Sequence, residues 1–543
     1  MEFDYDWLVI GSGFGGSVAA LRLAEKGYKV GVLECGRRFA DHEFAERTSD
    51  WKRYLWAPYI GFRGVFRMTL FKDIFIMSGC GVGGGSLGYA NTLYRARQAF
   101  YTNPQWSELG EWENELAPFY DEAERMLGVT SYDRDGAADV LLEEYAATIG
   151  ATESYTRTPV GVFLGEPGKT VADPYFGGEG PDRTGCVRCG GCMIGCRYGA
   201  KNTLVKNYLW FAEKLGVDVI PDRTVVDVRP LGDGSGADGY EVAYVRSGTL
   251  LRRGRASARA RGVIVAAGAL GTNRLLQRCR LGGSLPCVSE RLGHTVRTNS
   301  ESIMAVLAPE GSDYDFTDTV AISSSIHVDE STHIEVVTYG AGGDSQVPLF
   351  SLMVEAGRRG TQPLHFLLAM ARHPRALLQV LKWRGASRRA IGLLVMQSLD
   401  NAMRLKVKRR LPWGGVVLTT EQDPLHPNPD KIPAAYAAGR WFARRVGGNA
   451  YTFLPESVLA IPSTAHILGG AVIGAGPESG VIDTQHRVFG YENLLICDGS
   501  AVPANVGANP SLTITAMAER AMSFIAGKDE QEVRNAVSKT GKL

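Results

Sequence analysis

Four cysteines of this 543-residue chain lie within eleven positions and have the spacing of a metal-binding run. They are Cys186, Cys189, Cys192 and Cys196, and the pattern C-x2-C-x2-C-x3-C is that of ferredoxin-type [4Fe–4S] ligands. Structural zinc sites more often use two separated pairs of ligands. Arg197 stands where such a run usually has proline, and the sequence holds no second run. Three interpretations stay open: an iron–sulfur cluster, a zinc or partial metal site, and buried thiols without metal.

A second pattern, near the start of the chain, has the form of a dinucleotide-binding loop. An apolar stretch at residues 7–10 runs into a turn that contains Gly11, Gly13 and Gly16, and a helical pattern follows. Gly11 permits the tight turn, Gly13 lets the backbone approach a pyrophosphate, and Gly16 lets the helix pack closely on the strand. Glu34 ends the next predicted strand, where an acid accepts hydrogen bonds from ribose hydroxyls and disfavours a 2′-phosphate.

These patterns need elements that position them, and the rest of the chain predicts an α/β arrangement. Glycine-rich segments of the kind that bind cofactors occur near both ends, at residues 6–35 and 461–526. We therefore expect a Rossmann-type nucleotide-binding domain that is discontinuous, formed by residues 1–297 and 456–543. Residues 298–455 carry alternating strand patterns, and we expect them to form an inserted α+β substrate domain built on an antiparallel sheet.

The composition narrows the class of protein. Lys plus Arg number 59 and Asp plus Glu number 58, so the net charge of +1 gives no general attraction for nucleic acid. The 9 cysteines are an odd number, which argues against a disulfide framework. The first residues lack the features of a secretory leader, and no apolar run is long enough to cross a bilayer. We expect a cytoplasmic protein.

Taken together, the motifs resemble those of the glucose–methanol–choline (GMC) flavoprotein oxidoreductases, most closely their bacterial cholesterol-oxidase-like branch. The similarity spans nearly the whole chain, and the motifs occur in family order. They are the loop 79–87 with Asn91, VAAGALGT around Gly268, STAH at 463–466, CDGS at 497–500, and Asn509-Pro510 before the last predicted helix. The resemblance implies FAD as the cofactor.

The resemblance also implies which residues contact FAD. The loop from Gly81 to Ser86 is expected to run along the flavin, and Val225 to reach the adenine side. Asp498 and Gly499 are expected to hold the ribityl and pyrophosphate region. The full expected set is Gly11, Gly13, Gly16, Glu34, Gly81, Gly84, Gly85, Ser86, Asn91, Val225, Gly268, Asp498 and Gly499.

The active-site pair of the family falls on His466 and Asn509 in this chain. Alcohol oxidation removes the hydroxyl proton and passes a hydride to flavin N5, so it needs a group near the oxygen whose pKa is close to the working pH, as histidine's is. Asparagine cannot take the proton, but it orients the hydroxyl and stabilises developing charge. Each residue also has a structural interpretation, as a core histidine and as an N-cap asparagine.

Glu335 is a third candidate, because the cholesterol-oxidase-like branch carries an acid on a substrate-domain strand that moves a proton to shift a double bond. Glu335 alternates with Ile334 and Val336. Its side chain therefore points either into a cavity, where burial would raise its pKa, or towards solvent. The sequence leaves both orientations open.

The segment 356–399 has no Asp or Glu but eight Lys and Arg residues, interleaved with leucines, Phe366 and Trp383. This composition is typical of a segment that lies on a membrane surface. It is equally typical of a helical hairpin that packs on the protein and turns a basic face to solvent. Peripheral membrane contact is thus one of two interpretations.

We expect an FAD-dependent oxidoreductase that acts on the CH–OH group of a steroid or similarly bulky apolar alcohol, with O2 or a separate electron acceptor, and with double-bond isomerisation as an additional step. A metal cluster would favour the alternative of a flavin and iron–sulfur dehydrogenase, ene-reductase or isomerase acting on an enone. A non-catalytic electron-transfer flavoprotein docked on a membrane is the other alternative. The His466–Asn509 pair argues against it, because an electron carrier needs no substrate base.

Overall fold

The computed structural model describes residues 2–248, 254–409 and 416–531 of the chain. Its α-helices of six or more residues are α1 (Phe14–Glu25), α2 (Trp112–Leu127), α3 (Ala137–Thr148), α4 (Tyr208–Lys214), α5 (Gly268–Gly282), α6 (Gln362–Arg372), α7 (Pro374–Leu381), α8 (Pro433–Arg445), α9 (Leu454–Leu459) and α10 (Ser511–Ser523).

In the described part of the chain, the sheets are formed mainly by seventeen strands of three or more residues. They are β1 (Tyr5–Ile10), β2 (Val30–Leu33), β3 (Phe66–Leu70), β4 (Phe75–Gly79), β5 (Asp218–Ile220), β6 (Arg223–Pro230), β7 (Tyr240–Arg246), β8 (Arg255–Val265), β9 (Ser302–Leu307), β10 (Ile322–His327), β11 (Thr332–Val337), β12 (Phe350–Leu352), β13 (Ala390–Gln397), β14 (Met403–Arg409), β15 (Val416–Gln422), β16 (Asn449–Phe453) and β17 (Leu494–Ile496).

The first sheet has the strand order β5–β2–β1–β8–β7–β6, and β17 pairs with the carboxyl end of β8. β1 is parallel to both β2 and β8, while β6 and β7 are antiparallel to their neighbours. The last four residues of β1 and all of β2 are buried, as is usual for parallel strands covered on both faces. The helix α1 joins β1 to β2 and packs against α10. This sheet confirms the predicted α/β class with a Rossmann-type nucleotide-binding unit.

The second sheet is antiparallel throughout, with the order β12–β16–β9–β13–β11–β10 and the short edge strand Thr156–Arg157. Its core is shared with α3 and α8 and buries Met304, Ile334 and Phe442 completely. The predicted antiparallel sheet is therefore confirmed. Because α3 and the edge strand precede residue 298, this core also takes residues from outside the expected insert, and the division at 298 and 455 stays a proposal.

The basic apolar segment 356–399 forms α6, α7 and β13. Phe366 and Leu377 pack inwards against the cluster around Leu352 and Tyr451. Other leucines on these helices are exposed, namely Leu364 (60%), Leu367 (57%), Leu368 (43%) and Leu378 (57%). The segment thus combines a packed hairpin with an apolar outer face. In the ranges described, none of the helices has the length and apolar character needed to span a membrane.

Candidate active site

The first glycine loop joins β1 to α1 and is shaped by close approaches of the backbone. Gly11 has φ = +104°, and a Cβ atom there would lie 2.2 Å from the carbonyl oxygen of Ala266. A Cβ atom at Gly16 would lie 2.1 Å from the oxygen of Gly11. At Gly13 a Cβ atom would meet nothing within 4 Å, so the backbone is open to a ligand there. The local structure suits the tasks predicted for these three glycines.

The second glycine loop, residues 79–88, lies directly on the first. A Cβ atom at Gly84 would lie 2.5 Å from the Cα atom of Gly13, and Gly84 has φ = +53°. Ser86 Oγ donates to the carbonyl oxygen of Gly83 (2.7 Å) and accepts from the amide of Leu204 (3.0 Å). The hydroxyl of Ser86 therefore holds the shape of the loop.

Glu34 connects the two glycine loops. Its side chain is buried, with Oε2 accepting from the amide and hydroxyl of Ser12 (3.1 and 2.8 Å) and Oε1 accepting from the amide of Gly81 (3.4 Å). The amide of Arg223 donates to the carbonyl oxygen of Glu34 (2.8 Å), so the start of β6, and with it Val225, lies beside Glu34. The residues expected to contact the ribose and the adenine of FAD thus lie at one edge of the sheet. Their contacts with FAD stay predictions.

Asp498 follows β17, and protein donors occupy its carboxylate. It accepts from the amide of Gly268 (2.9 Å) and from Thr272 Oγ1 (2.5 Å), which fixes the turn between β8 and α5. Burial raises the pKa of Asp498, although these donors counteract part of the effect. The carbonyl oxygen of Gly499 accepts from the amide of Gly469 (2.8 Å). The carboxylate of Asp498 is therefore occupied by donors of the protein itself, and the contact of this segment with FAD stays a prediction.

Asn91 supplies a test of whether these residues fit a bound cofactor. Its side chain is fully buried, its φ is +62°, and neither Oδ1 nor Nδ2 has a hydrogen-bond partner in the described chain. Leaving a buried polar group unpaired costs about 1–3 kcal/mol. The orphaned amide of Asn91 and the open backbone at Gly13 are therefore consistent with the FAD that the motifs imply.

His466 lies between two short strands that fix its position. Ser463–Thr464 pairs with β4, and Leu468–Gly469 pairs with Val296–Arg297. His466 Nδ1 lies 2.5 Å from Glu301 Oε1, and the side chain of Glu301 is completely buried. Burial alone would lower the pKa of His466, but the carboxylate of Glu301 outweighs this effect and raises it. Because Nδ1 bonds to Glu301, Nε2 is the ring nitrogen that points away from Glu301.

Asn509 lies next to His466 on that other side. Its Nδ2 is 3.5 Å from His466 Nε2 and donates to Glu335 Oε2 at 3.4 Å. The N-cap of α10 is Pro510, so Asn509 does not have the capping role that the sequence left open. Oδ1 of Asn509 is buried and has no partner among the described residues.

Glu335 takes the buried one of the two orientations left open by the sequence. Its side chain is fully buried on β11, and burial raises its pKa to about 8, although His466 and the amide of Asn509 lower it in part. Glu335 Oε1 lies 4.0 Å from Nδ1 of His333, which is also buried. Glu335 meets the site through Asn509 and is not itself part of the cavity wall.

Asn299 holds the two sides of this constellation together. Its Nδ2 donates to the carbonyl oxygen of Ala508 (2.8 Å), and its Oδ1 accepts from the amide of Val506 (3.1 Å). Asn299 lies two residues before Glu301 and thus ties the Glu301 turn to the loop that carries Asn509. The distances between His466, Asn509 and Glu301 are therefore fixed by buried hydrogen bonds.

A cavity of about 270 Å³ joins the glycine loops to the antiparallel sheet. His466 and Asn509 lie in its wall together with Phe14 and Gly85 from the two glycine loops. The opposite wall comes from the second sheet and its surroundings, and most of its side chains are apolar, including Ile303, Phe350 and Leu393. The cavity therefore has a hydrogen-bonding pair beside the glycine loops and apolar side chains on its opposite wall.

The four cysteines of the predicted metal-binding run line a second cavity, of about 390 Å³. All of them are free thiols in the structure. The run therefore comes together around one space, as a metal site requires, and the presence of a metal stays a prediction.

Three residues of these sites were missed by the sequence analysis, namely Asn299, Glu301 and Lys201. Glu301 lies in the polar stretch Asn299-Ser300-Glu301-Ser302, and Lys201 follows the cysteine run, and neither belongs to a motif. Most of their contacts are with residues far away in the chain, which single-sequence patterns do not reveal, although Lys201 also bonds to the nearby Cys192. The only signal for Lys201 is its position five residues after Cys196.

Sequence comparison places GMC oxidoreductase matches at residues 180–296 and 448–518, and an NAD(P)-binding Rossmann-like domain at residues 9–46. The chain is 47% identical to a protein named cholesterol oxidase from Mycobacterium tuberculosis (strain H37Rv), over 98% of this chain and 93% of that protein. It is 44% identical to a cholesterol oxidase from Acinetobacter baumannii, over 98% and 96% of the two chains.

Solved structures with a similar fold include pyridoxine 4-oxidase from Mesorbium loti, with a TM-score of 0.61 and 15% identity over 96% of this chain and 99% of that one. A fungal aryl-alcohol oxidase has a TM-score of 0.56 and 14% identity, over 96% and 99% of the two chains. At these identities the similarity concerns the fold alone.

Proposed function

This chain belongs to the GMC oxidoreductase family, as its motifs predict, and we propose that it oxidises the hydroxyl group of a steroid or a similarly bulky apolar alcohol. Family membership makes the chain an oxidoreductase and supports FAD as its cofactor. Both curated relatives described above carry the name cholesterol oxidase, which supports a sterol as the substrate.

The observation that carries this proposal is the shared cavity. Its wall contains Gly85 of the expected FAD set, the His466–Asn509 pair and many apolar side chains. A small polar alcohol would leave that wall in contact with water, whereas a large apolar alcohol would cover it. Burial of apolar surface contributes about 25 cal/mol per Å². The wall therefore favours a bulky apolar substrate with one hydroxyl at the His466 end.

His466 and Asn509 are the proposed catalytic residues. In this proposal Nε2 of His466 accepts the hydroxyl proton, and the Glu301 carboxylate stabilises the positive charge that forms on the ring. The side-chain amide of Asn509 orients the hydroxyl. Bound FAD supplies the acceptor for the hydride that leaves the carbinol carbon. Glu301 is a positioning residue, because it acts through His466.

The electron acceptor after alcohol oxidation is proposed to be O2, in keeping with the names of both relatives, or a separate protein or small-molecule acceptor. The residues of the expected FAD set keep the roles given to them above as proposals. The division into residues 1–297, 298–455 and 456–543 also stays a proposal. The helix α3 and the strand Thr156–Arg157 lie in the first of these ranges but pack on the sheet of the second.

The substrate range tests this proposal. Turnover of the FAD-loaded enzyme would be measured with a 3-hydroxysterol, a long-chain alcohol, choline and methanol. We expect kcat/KM to be highest for the sterol, by at least about 100-fold over methanol, since each buried methylene contributes about 0.8 kcal/mol. A preference for the small alcohols would contradict the proposal. The same assay compares His466→Ala with the wild type, and His426→Ala, at an exposed histidine, is the matched control.

A double-bond shift after oxidation is a second proposed activity, favoured by the buried Glu335 with its raised pKa beside Asn509. A carboxyl with a pKa of about 8 is partly ionised near neutral pH and can both accept and return a proton. Because Glu335 lies behind Asn509 and outside the cavity wall, this activity requires the Asn509 side chain to move aside when the substrate binds. With a sterol whose double bond is one carbon removed from conjugation, Glu335→Gln should slow formation of the conjugated enone at least about 100-fold and oxidation less than about tenfold. Equal rates of conjugation in the two proteins would refute a role for Glu335.

Peripheral contact with membranes is proposed for the outer face of α6 and α7. The inner face of these helices packs on Leu307, Phe350 and Tyr451, which also line the substrate cavity. The exposed leucines and the basic residues of the segment are suited to an anionic bilayer surface. A sterol leaving the bilayer at this face would have a short path to the cavity.

This contact is tested by replacing Leu364, Leu367 and Leu368 with serine. We expect turnover of sterol in anionic phospholipid vesicles to fall at least about tenfold, since each buried leucine contributes about 1.5–3 kcal/mol, while turnover of cyclodextrin-solubilised sterol is unchanged. Leu425→Ser, at an 82% exposed leucine far from these helices in sequence, is the control. Equal activity of the triple variant on vesicles would contradict the proposal.

A further inference from the structure

The cysteine run lines a cavity that has four cysteines in its wall. Cys186, Cys189, Cys192 and Cys196 all line this cavity of about 390 Å³, and Lys201 lies in the same wall. The cavity is thus large enough for more than a single ion, and all four sulfur-bearing residues face it from one short stretch of chain.

The backbone of the run is bent into a shape that turns its groups towards the cavity. Arg188 has φ = +54°, and its amide donates to Cys186 Sγ at 3.4 Å. Gly190 and Gly195 have φ = +66° and +93°, and a Cβ atom at Gly195 would lie 2.3 Å from the ring of Phe44. Backbone amides directed at cysteine sulfurs are among the features that tune protein-bound iron–sulfur clusters.

The spacing of the sulfurs distinguishes between kinds of metal site. In a tetrahedral zinc site, with Zn–S bonds of about 2.3 Å, the sulfurs lie about 3.8 Å apart. Within the described chain, no three thiols of the run have sulfurs within 4.8 Å of one another, and none of the four is in a disulfide. The four thiols are therefore not arranged as a tetrahedral zinc site, and a cubane cluster, which spreads its ligands further apart than a single ion does, is compatible with their placement.

Two buried cations beside the run lack an anionic partner. Lys201 is 1% exposed, and its Nζ donates to the carbonyl oxygens of Leu87 (2.8 Å), Tyr89 (3.2 Å) and Cys192 (2.7 Å). Arg183 is 2% exposed and also donates only to carbonyl oxygens. Among the described residues neither cation has a carboxylate within 4.0 Å. An uncompensated buried charge is costly, and an anionic cluster held by four thiolates would compensate it.

From these observations we propose that Cys186, Cys189, Cys192 and Cys196 bind one [4Fe–4S] cluster. The spacing of the run in the sequence, the open cavity and the two buried cations support the same assignment independently. The absence of a second run is then no obstacle, because the folded-back loop brings Cys196 to the same cavity as the first three.

The position of the cavity gives the cluster a role in electron transfer. Tyr339 lines both this cavity and the substrate cavity, and Lys201 bonds to the carbonyl oxygen of Leu87 in the second glycine loop and to that of Tyr89 just after it. Oxidation of one alcohol to a ketone releases two electrons and two protons, and the cluster would pass the electrons one at a time to an external quinone, which becomes the quinol by taking up two electrons and two protons. This role rests on the proposed alcohol oxidation, whereas binding of the cluster does not.

The test is the metal content of the FAD-loaded protein purified without oxygen. We expect about four iron and four acid-labile sulfide atoms per chain, and a low-temperature electron paramagnetic resonance signal after reduction with dithionite. Cys189→Ser should lose at least half of the iron and most of the signal while keeping its FAD. Cys287→Ser, at an exposed cysteine outside the cavity, is the matched control and should keep both.

Three results would overturn the proposal. One is wild-type protein with less than about 0.1 iron per chain both as purified and after reconstitution with ferrous iron and sulfide. Another is stoichiometric zinc without sulfide. The third is an iron content that Cys189→Ser and Cys287→Ser reduce equally. None of these measurements uses a sterol, so they stand apart from any failure of the proposed alcohol oxidation.

Discussion

The carboxylate of Glu301 should control the pH at which the enzyme becomes active, and Glu301→Gln tests this. Glu301 is completely buried and lies 2.5 Å from His466 Nδ1. Its charge raises the pKa of His466, against burial, which lowers it. His466 must be neutral to accept the hydroxyl proton, so activity should fall as the pH drops through the pKa of His466. Replacing the carboxylate with an amide leaves burial unopposed and should move this acidic limb to lower pH.

The size of the effect follows from the contact that is lost. A hydrogen bond to a charged group contributes about 1.5–3 kcal/mol. Since one pKa unit corresponds to about 1.36 kcal/mol, the acidic limb should shift down by about 1–2 units. The same loss should lower the plateau of kcat about 10- to 100-fold, because the positive charge that forms on His466 during proton transfer is no longer stabilised.

The assay is kcat/KM and kcat against pH with a solubilised sterol. Glu456→Gln is the matched control, because Glu456 is also buried, bonds to Tyr436 (2.8 Å) and Ser302 (2.9 Å), and has its pKa raised by burial to about 7. That variant should leave the acidic limb in place. A Glu301→Gln enzyme with the wild-type limb and plateau would refute the reasoning.

Three further outcomes follow from the site. Gly84→Ala should reduce bound FAD at least about tenfold, because Gly84 has φ = +53° and a Cβ atom there would lie 2.5 Å from the Cα atom of Gly13. Gly282→Ala is the control and should keep its FAD, because a Cβ atom there meets nothing within 4 Å. The absorbance of the flavin relative to that of the protein measures bound FAD. Asn91→Ala should weaken FAD binding about tenfold, since the amide has partners only when a ligand supplies them; unchanged FAD binding would contradict this. Glu335 has its pKa raised from 4.5 to about 8, so the stability it contributes is present below the unfolded pKa and is lost as the pH rises through the folded one. Glu335→Gln should therefore have the stability of the wild type at about pH 5 and be more stable than the wild type at about pH 9, by at most about 5 kcal/mol in the free energy of unfolding. Thermal melts at both pH values measure this. A difference in stability between the two proteins that is the same at about pH 5 and about pH 9 would refute it.

The sequence predicts those parts of the protein that depend on local spacing. The turn at Gly11, Gly13 and Gly16 follows from strand, turn and helix in register, and the same pattern gives the α/β class. The antiparallel second sheet follows from alternating strands such as the one around Glu335. In the turn and in the pairing of β10 with β11, neighbours in the chain are also neighbours in the structure, so the pattern is visible in one sequence. The other pairings of the second sheet join segments that are far apart in the chain.

Contacts between distant segments were not predictable in this way. Glu301 meets His466 across 165 positions of the chain, and Asn299 reaches the loop before Asn509 across more than 200. The packing of α3 on the second sheet also depends on such contacts, because the helix precedes the strands it covers by more than 150 residues. The orientation of Glu335 could only be settled by the fold, since both faces of an alternating strand are equally consistent with its sequence.

The most direct test of the central claim is the reductive half-reaction in the absence of oxygen. The FAD-loaded enzyme would be mixed with a 3-hydroxysterol, and the visible absorbance of the flavin followed in a stopped-flow instrument. We predict that the sterol bleaches the flavin, that His466→Ala slows bleaching at least about 100-fold, and that His426→Ala does not. A flavin that short-chain alcohols bleach but sterols and other bulky apolar alcohols do not, or equal bleaching rates in His466→Ala and the wild type, would contradict the account.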